Sequence, residues 1–239
     1  MQVSRQWQEN IARLKKLKGA VILAHYYQLP EIQEVADYVG DSLSLAKKAA
    51  ETQAEVIVLC GVRFMAESAK ILNPDKTVLL PVLEAGCPMA DMATPAAVTA
   101  MKARRPAAGV VSYVNSSAET KALSDACCTS SNAVEVVRGI PFREILFLPD
   151  KNLAWFAQQR VPEKKVIPWD GYCFVHRSFT TAEVESARKT MPDAEIIVHP
   201  ECEPEVQKTA DVVCSTSGML RHARESSATT FVIGTEEAM

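Results

Sequence analysis

The sequence predicts an α/β protein built on largely parallel sheets. Three observations carry that expectation. Short β-branched runs alternate with helix-length amphipathic stretches, matched residues recur at a fixed offset, and each copy closes its first strand with polar side chains.

The strand candidates are VILA at 21–24, VIVL at 56–59, TVLL at 77–80, GVVSYV at 109–114, ILFL at 145–148, EIIV at 195–198 and TFVI at 230–233. Helical stretches such as SLSLAKKAAE (42–51) and TTAEVESARKT (180–190) lie between them. Strands separated by helices of this length make βαβ units, which place successive strands parallel. No Pro- or Gly-rich linker divides the chain.

The repeat is read from spacing. Cys87 lies 86 residues before Cys173, and the same offset pairs Thr94 with Thr180, Pro106 with Pro192, Tyr113 with His199, Asn115 with Glu201, Asp125 with Asp211 and Ser130 with Thr216. An earlier copy supplies His25, Tyr27, Asp37 and Ser42. In all three copies twelve residues lead from the first position to the Asp, and five more to the hydroxyl residue. The copies are expected at 21–87, 107–173 and 193–239, the last incomplete, with 1–20 and 80–106 as closing segments around the first.

Each copy offers a pair of side chains two residues apart just past its first strand: His25 and Tyr27, Tyr113 and Asn115, His199 and Glu201. On extended backbone such pairs share a face. Parallel sheets bind ligands outside the carboxyl ends of their strands, so the three pairs are expected around one cavity. Each copy then brings hydroxyls to a helix start: Asp41 or Ser42, Ser130 or Ser131, and Ser215 with Thr216. Such residues cap backbone N–H groups, and the same helix ends attract anions. Capping alone accounts for any one of them; three at matched positions point to an anionic small molecule.

Composition excludes other classes. The chain has 239 residues, 48% apolar and 23% charged, with a net charge of −3 and no long basic run, so neither nucleic acid nor an anionic membrane surface is expected as partner. There is no apolar run long enough to span a bilayer and no secretory h-region, and seven cysteines do not suggest a disulfide framework. The expected location is cytoplasmic, with reduced thiols.

Cys87 and Cys173 sit in polar loops after strands and are repeat-related, which singles them out as metal ligands. Cys60, Cys127, Cys128 and Cys214 are expected to pack as small apolar residues, and His222 to lie on the surface. A zinc site from Cys173-x-x-His176 and His199-x-x-Cys202 has acceptable spacing, although Cys202 breaks the repeat and faces away from its neighbours along a strand.

The stretches AHYYQLPEIQEVADYVGDSLSLAKKA, GVRFMAESAKILNPDK, GCPMADM, YVNSSAETKA, CCTSSNAVEVV, GYCFVH, VHPEC, CSTSGM and FVIGTE together resemble the quinolinate synthase family, in the family's order and over almost the whole chain. The resemblance implies three homologous αβα three-layer domains around a pseudo-threefold axis. It implies condensation of iminoaspartate with dihydroxyacetone phosphate to quinolinate in NAD biosynthesis, with loss of phosphate and two waters. It also implies a functional link to an L-aspartate oxidase or aspartate dehydrogenase. A [4Fe–4S] cluster would be held by one Cys per domain, here Cys87 and Cys173, the third falling beyond Met239. Carried over by motif, His25, Ser42, Tyr113, Asn115, Ser130, His176, His199, Glu201, Ser215 and Thr216 would bind substrate. Tyr27, Glu201, His199 and Tyr113 are the candidates for catalysis, Tyr27 and Glu201 for the proton transfers that isomerisation and dehydration require. The alternative is a cluster-less relative that only binds small anionic metabolites.

Overall fold

The computed structural model describes residues 5–237, which form two compact units. The first runs to Cys87 and holds one sheet: β1 (Ala20–His25), β2 (Tyr38–Gly40), β3 (Val56–Cys60) and β4 (Thr77–Leu79), in spatial order β2-β1-β3-β4. The second, Pro88–Glu236, holds two. One is β5 (Gly109–Tyr113), β6 (Ala126–Cys128), β7 (Glu144–Leu148) and β8 (Lys165–Pro168), in order β6-β5-β7-β8. The other is β9 (Glu195–Val198), β10 (Val212–Val213) and β11 (Phe231–Gly234), in order β10-β9-β11. Every pairing is parallel. The α/β class stands, and each sheet repeats one plan: the second strand outside the first, the third on its other side.

All seven strand candidates fall on strands. Sequence reading missed β2, β6, β8 and β10, which are edge strands of two to four residues, too short for a period-two pattern to declare itself. The stretch 42–51 is a helix over Ser42–Glu51, and Thr181–Thr190 forms a second.

The repeated Asp has a mechanical role. Asp37, Asp125 and Asp211 each accept, through one carboxylate oxygen, the backbone N–H of the residue fifteen positions earlier: Ile22 at 2.8 Å, Val110 at 2.7 Å and Ile196 at 2.8 Å. Each Asp backbone N–H returns a bond to the carbonyl of the same residue at 2.9 Å. The Asp thus pins the entry to each edge strand onto the central strand and sets the register of the pair. The matched Thr94 and Thr180 likewise both cap helices, accepting from Ala97 and Glu183.

The central strands of the second sheet are buried on both faces, as parallel sheets favour: all five residues of β5 and four of the five of β7 are buried. Val98, Val110, Leu146 and Leu148 form the core under the second sheet, with Trp169 packed against them. Val184, Ile196, Val198, Cys202 and Val206 form the core of the third. Each fully buried aliphatic side chain contributes about 1.5–3 kcal/mol relative to exposure.

Some expectations are corrected. Cys128 is buried but Cys127 is exposed, because adjacent strand residues point to opposite faces; Cys60 and Cys214 are half-buried. His222 is not a bare surface residue: its Nε2 pairs with Glu195 Oε2 at 2.6 Å. Of the residues expected to cap helix starts, Asp41 and Ser215 do so, whereas Ser130 and Ser131 lie in a turn held by Asn132, whose Oδ1 accepts from the Thr129 N–H at 2.7 Å. Among the described residues, no helix is long and apolar enough to cross a membrane.

Candidate active site

The His25–Tyr27 and His199–Glu201 pairs form tight turns, not the extended segments expected. Gln28 N–H reaches His25 O at 3.0 Å, and Cys202 N–H reaches His199 O at 3.0 Å. Inside each turn the imidazole acts as a backbone surrogate. His25 Nδ1 accepts from Tyr27 N–H at 3.2 Å, and His199 Nδ1 from Glu201 N–H at 3.3 Å. An Nδ1 that accepts leaves the ring proton on Nε2, so His25 presents an Nε2–H donor. In the first unit His25 is buried and its ring meets Tyr27 edge-on, centroids 4.6 Å apart. Ser42 opens the helix that Asp41 caps.

In the second unit the carboxyl ends of β5 and β9 converge on Glu201, which is 3% exposed. Tyr113, the last residue of β5, donates its hydroxyl to Glu201 Oε1 at 2.6 Å. His176 Nδ1 lies 2.8 Å from Glu201 Oε2, and His199 Nδ1 3.9 Å from the same oxygen. The two imidazoles stack at 4.5 Å between centroids. His199 Nε2 lies 3.2 Å from Ser130 Oγ, and Ser131 Oγ donates to Ser215 Oγ at 2.9 Å, so the two hydroxyl sites also meet. Thr216 is buried beside Ser215. Asn115 contributes a buried Oδ1 with no hydrogen-bond partner among the described residues. A buried orphan acceptor is costly unless a ligand satisfies it.

Burial opposes ionisation of Glu201, but the charges of His199 and His176, with hydrogen bonds from His176 and Tyr113, outweigh it and hold the carboxyl well below the usual carboxylate range. The cluster is therefore a carboxylate braced by a phenol and two imidazoles. Such a cluster sets a fixed negative charge beside a phenol and two imidazoles, side chains that can pass protons in a water-poor setting.

Four supporting residues were not legible in the sequence. Thr235 Oγ1 meets His176 Nε2 at 2.9 Å, leaving Nδ1 to face Glu201. Asn152 Nδ2 donates to Glu201 O at 3.0 Å, and Gln207 Nε2 to the carbonyls of Pro200 and Cys202, both at 2.8 Å. Asp150, fully buried, sits behind the Cys173 loop. They lie on three separate segments: Thr235 is inside the motif FVIGTE, and Gln207 matches Gln33 of the first copy, whose Nε2 donates to Tyr26 O and Gln28 O in the same way, whereas Asp150 and Asn152 stand in no repeated pattern.

Cys173 precedes the short helix Phe174–Arg177, its Sγ 3.3 Å from His176 Nδ1. Cys173, His176 and Glu201 place one ligand atom each within 4.8 Å of one another. Cys202 does not join them: its thiol points at Gly234 O, 3.9 Å away in the third core, and burial pushes it up to about 12. The four-residue zinc set is therefore not assembled. Cys87 ends the first unit and is half-buried. The loops leading to the two cysteines share one clamp: Arg63 N–H donates to Ala85 O at 2.8 Å, and Lys151 N–H to Gly171 O at 2.9 Å. Burial, and then the Glu201 charge, push the Cys173 thiol far up, so its thiolate calls for a bound cation. A soft thiolate donor on a clamped loop fits an iron–sulfur group better than a hard cation.

The family model described as quinolinate synthetase A protein matches residues 9–239. A quinolinate synthase of Alkaliphilus metalliredigens is 57% identical over 228 residues, covering 95% of this chain and 75% of the relative. One from Thermodesulfovibrio yellowstonii is 54% identical over the same coverage. One from Methanoregula boonei is 53% identical over 96% of this chain and 76% of its own. With identity of this order along nearly every residue, the chain belongs to the quinolinate synthetase A family.

Proposed function

We propose that the chain is a quinolinate synthase, condensing iminoaspartate with dihydroxyacetone phosphate to quinolinate in NAD biosynthesis, with release of phosphate and two waters. An aspartate oxidase or aspartate dehydrogenase would supply the imine. The observation that supports this most is the buried Glu201 carboxylate braced by Tyr113, His176 and His199. Isomerisation and dehydration both move protons between carbon and oxygen, and an ionised carboxylate joined to a phenol and two imidazoles supplies hydrogen-bonded acceptors and donors for them out of water.

In this reading Glu201 and Tyr27 move protons, and Tyr113 stabilises Glu201 and then the developing charge. His25, His176 and His199 orient the substrate carboxylates. Asn115 receives a substrate hydroxyl or N–H on its orphan Oδ1. Ser42, Ser130, Ser215 and Thr216 take the phosphate and carboxylates. Cys87 and Cys173 would hold a [4Fe–4S] cluster, which supplies Lewis acidity through an open iron position. The three sheets would then be the cores of three αβα repeats, at 21–87, 107–173 and from 193, in a cytoplasmic enzyme.

The test is anaerobic purification of the full chain, assay of quinolinate from the two substrates, and iron and sulfide analysis. Quinolinate formation with bound iron is expected, and both should vanish in Cys173→Ala and Cys87→Ala. Iron retained undiminished in both variants would refute the ligand assignment.

A further inference from the structure

We infer that Asp150 is the positioning residue for Cys173, holding the backbone of that ligand in place from behind. The inference deepens the function just proposed and rests on its assignment of Cys173 as a cluster ligand. Asp150 is 0% exposed. One carboxyl oxygen accepts from Leu153 N–H at 2.6 Å, capping the helix Lys151–Arg160. The other accepts from the backbone N–H of Cys173 at 3.2 Å, twenty-three residues away. A single buried side chain thus ties the start of a rigid helix to the residue that carries the sulfur.

The repeat shows that this is more than ordinary capping. Counting back from the shared clamp, the residue before Arg63 is Val62 and the residue before Lys151 is Asp150. Val62 makes no side-chain cap at its helix, and the Cys87 loop is held instead by Arg63, whose Nη2 donates to Leu83 O at 2.6 Å. Capping is dispensable at this position, so the carboxylate in the second copy has a different reason to be there. The Cys173 side has a need the first copy lacks, because its sulfur lies 3.3 Å from His176 Nδ1, which also serves Glu201. A drift of the Cys173 backbone would disturb both the metal ligand and the proton-handling carboxylate. Residues behind a metal ligand commonly set its geometry and affinity.

Two substitutions separate the tie from the cap. Asp150→Ser keeps a helix-capping hydroxyl that is too short to span both N–H groups. Asp150→Asn keeps one acceptor and turns a donor toward the second N–H, so one bond must break. Both variants and Cys173→Ala are prepared as the full chain, anaerobically reconstituted with iron and sulfide. Loss of iron to a chelator, the electron paramagnetic resonance spectrum of the reduced protein, and circular-dichroism melting are then measured. Both Asp150 variants are expected to melt close to wild type yet release iron roughly tenfold faster or more, with a changed spectrum. In metal-free protein the alkylation rate of Cys173 relative to Cys87 is expected to change at least about threefold, as loss of a second-layer contact would. Wild-type release, spectrum and alkylation ratio in both variants, with Cys173→Ala stripped of iron, would overturn the positioning role and leave the proposed function standing. Iron held equally well by Cys173→Ala would overturn both.

Discussion

Tyr113 Oη donates to Glu201 Oε1 at 2.6 Å across 88 residues of sequence, joining the carboxyl end of the second sheet to the turn after the first strand of the third. A hydrogen bond to a charged, buried acceptor contributes about 1.5–3 kcal/mol. Tyr113→Phe keeps the ring and removes the donor. The variant is expected to fold, melt a few degrees lower, and lose roughly a hundredfold in kcat, with KM changed much less. Steady-state kinetics alongside thermal melts check this; unaltered kcat would remove Tyr113 from the chemistry.

Glu201 also makes stability depend on pH. Its folded pKa lies below the unfolded carboxylate value of about 4.3. The stabilisation from its ionised form is therefore present above that value and is lost as pH falls toward the folded one. At pH 7, Glu201→Gln is expected to be less stable by about 3 kcal/mol, since it leaves two imidazoles without their counter-charge. Denaturation series of both proteins from pH 7 to pH 3.5 should show the gap narrowing below about pH 4.3. A constant gap would contradict the assigned ionisation.

Asn115 carries a buried acceptor without a partner among the described residues. Asn115→Ala should change the melting temperature of the ligand-free chain by less than the roughly 2–4 °C of a typical 1 kcal/mol lesion at this size. It should nevertheless abolish the rise in melting temperature produced by dihydroxyacetone phosphate. A full ligand shift in the variant would show that Asn115 does not touch this substrate.

The Asp ties predict a ranked pair. Asp125→Ala removes one side-chain acceptor from a central-strand N–H and should destabilise by about 1 kcal/mol; Asp211→Ala removes the same tie and a half-exposed pairing with Arg188 at 2.9 Å, so it should cost up to about 1 kcal/mol more. Chemical denaturation of the two variants and their combination would show near-additive losses, because the two ties share no partner.

Gly171 and Gly139 form a contrasting pair. A Cβ on Gly171 would lie 2.4 Å from Pro149 O, a backbone atom in the clamp behind Cys173. A Cβ on Gly139 meets nothing within 4 Å. Gly171→Ala is expected to lower stability by more than about 2 kcal/mol and to weaken metal retention. Gly139→Ala, at the end of the helix Ala133–Gly139, should be neutral or gain up to about 1 kcal/mol. Paired melting curves suffice to check both.

Much of the site was readable because the repeat makes chemistry periodic. His25 and His199 stand at matched positions and adopt the same turn with the same Nδ1 acceptor role, and Tyr113 ends β5 as its spacing required. The pairs did not lie on extended backbone, because an imidazole can replace a backbone acceptor two residues on and close a turn. Helix starts were placed to within a residue or two, yet which hydroxyl caps was misread in the second copy, where Asn132 closes the turn instead. The edge strands went unseen for want of length.

The sequence by itself determined the α/β class, seven of the strands, the threefold spacing and the family, since periodicity and motif are properties of neighbours along the chain. Only the tertiary structure decided that Glu201 is held by Tyr113 and His176, that Thr235 and Asn152 stand behind it, and that Asp150 reaches the Cys173 backbone. Those contacts join residues brought together by packing of whole sheets. The hydrogen bond that matters at each is short-ranged and directional, so it depends on where the fold delivers both partners, which local spacing does not encode.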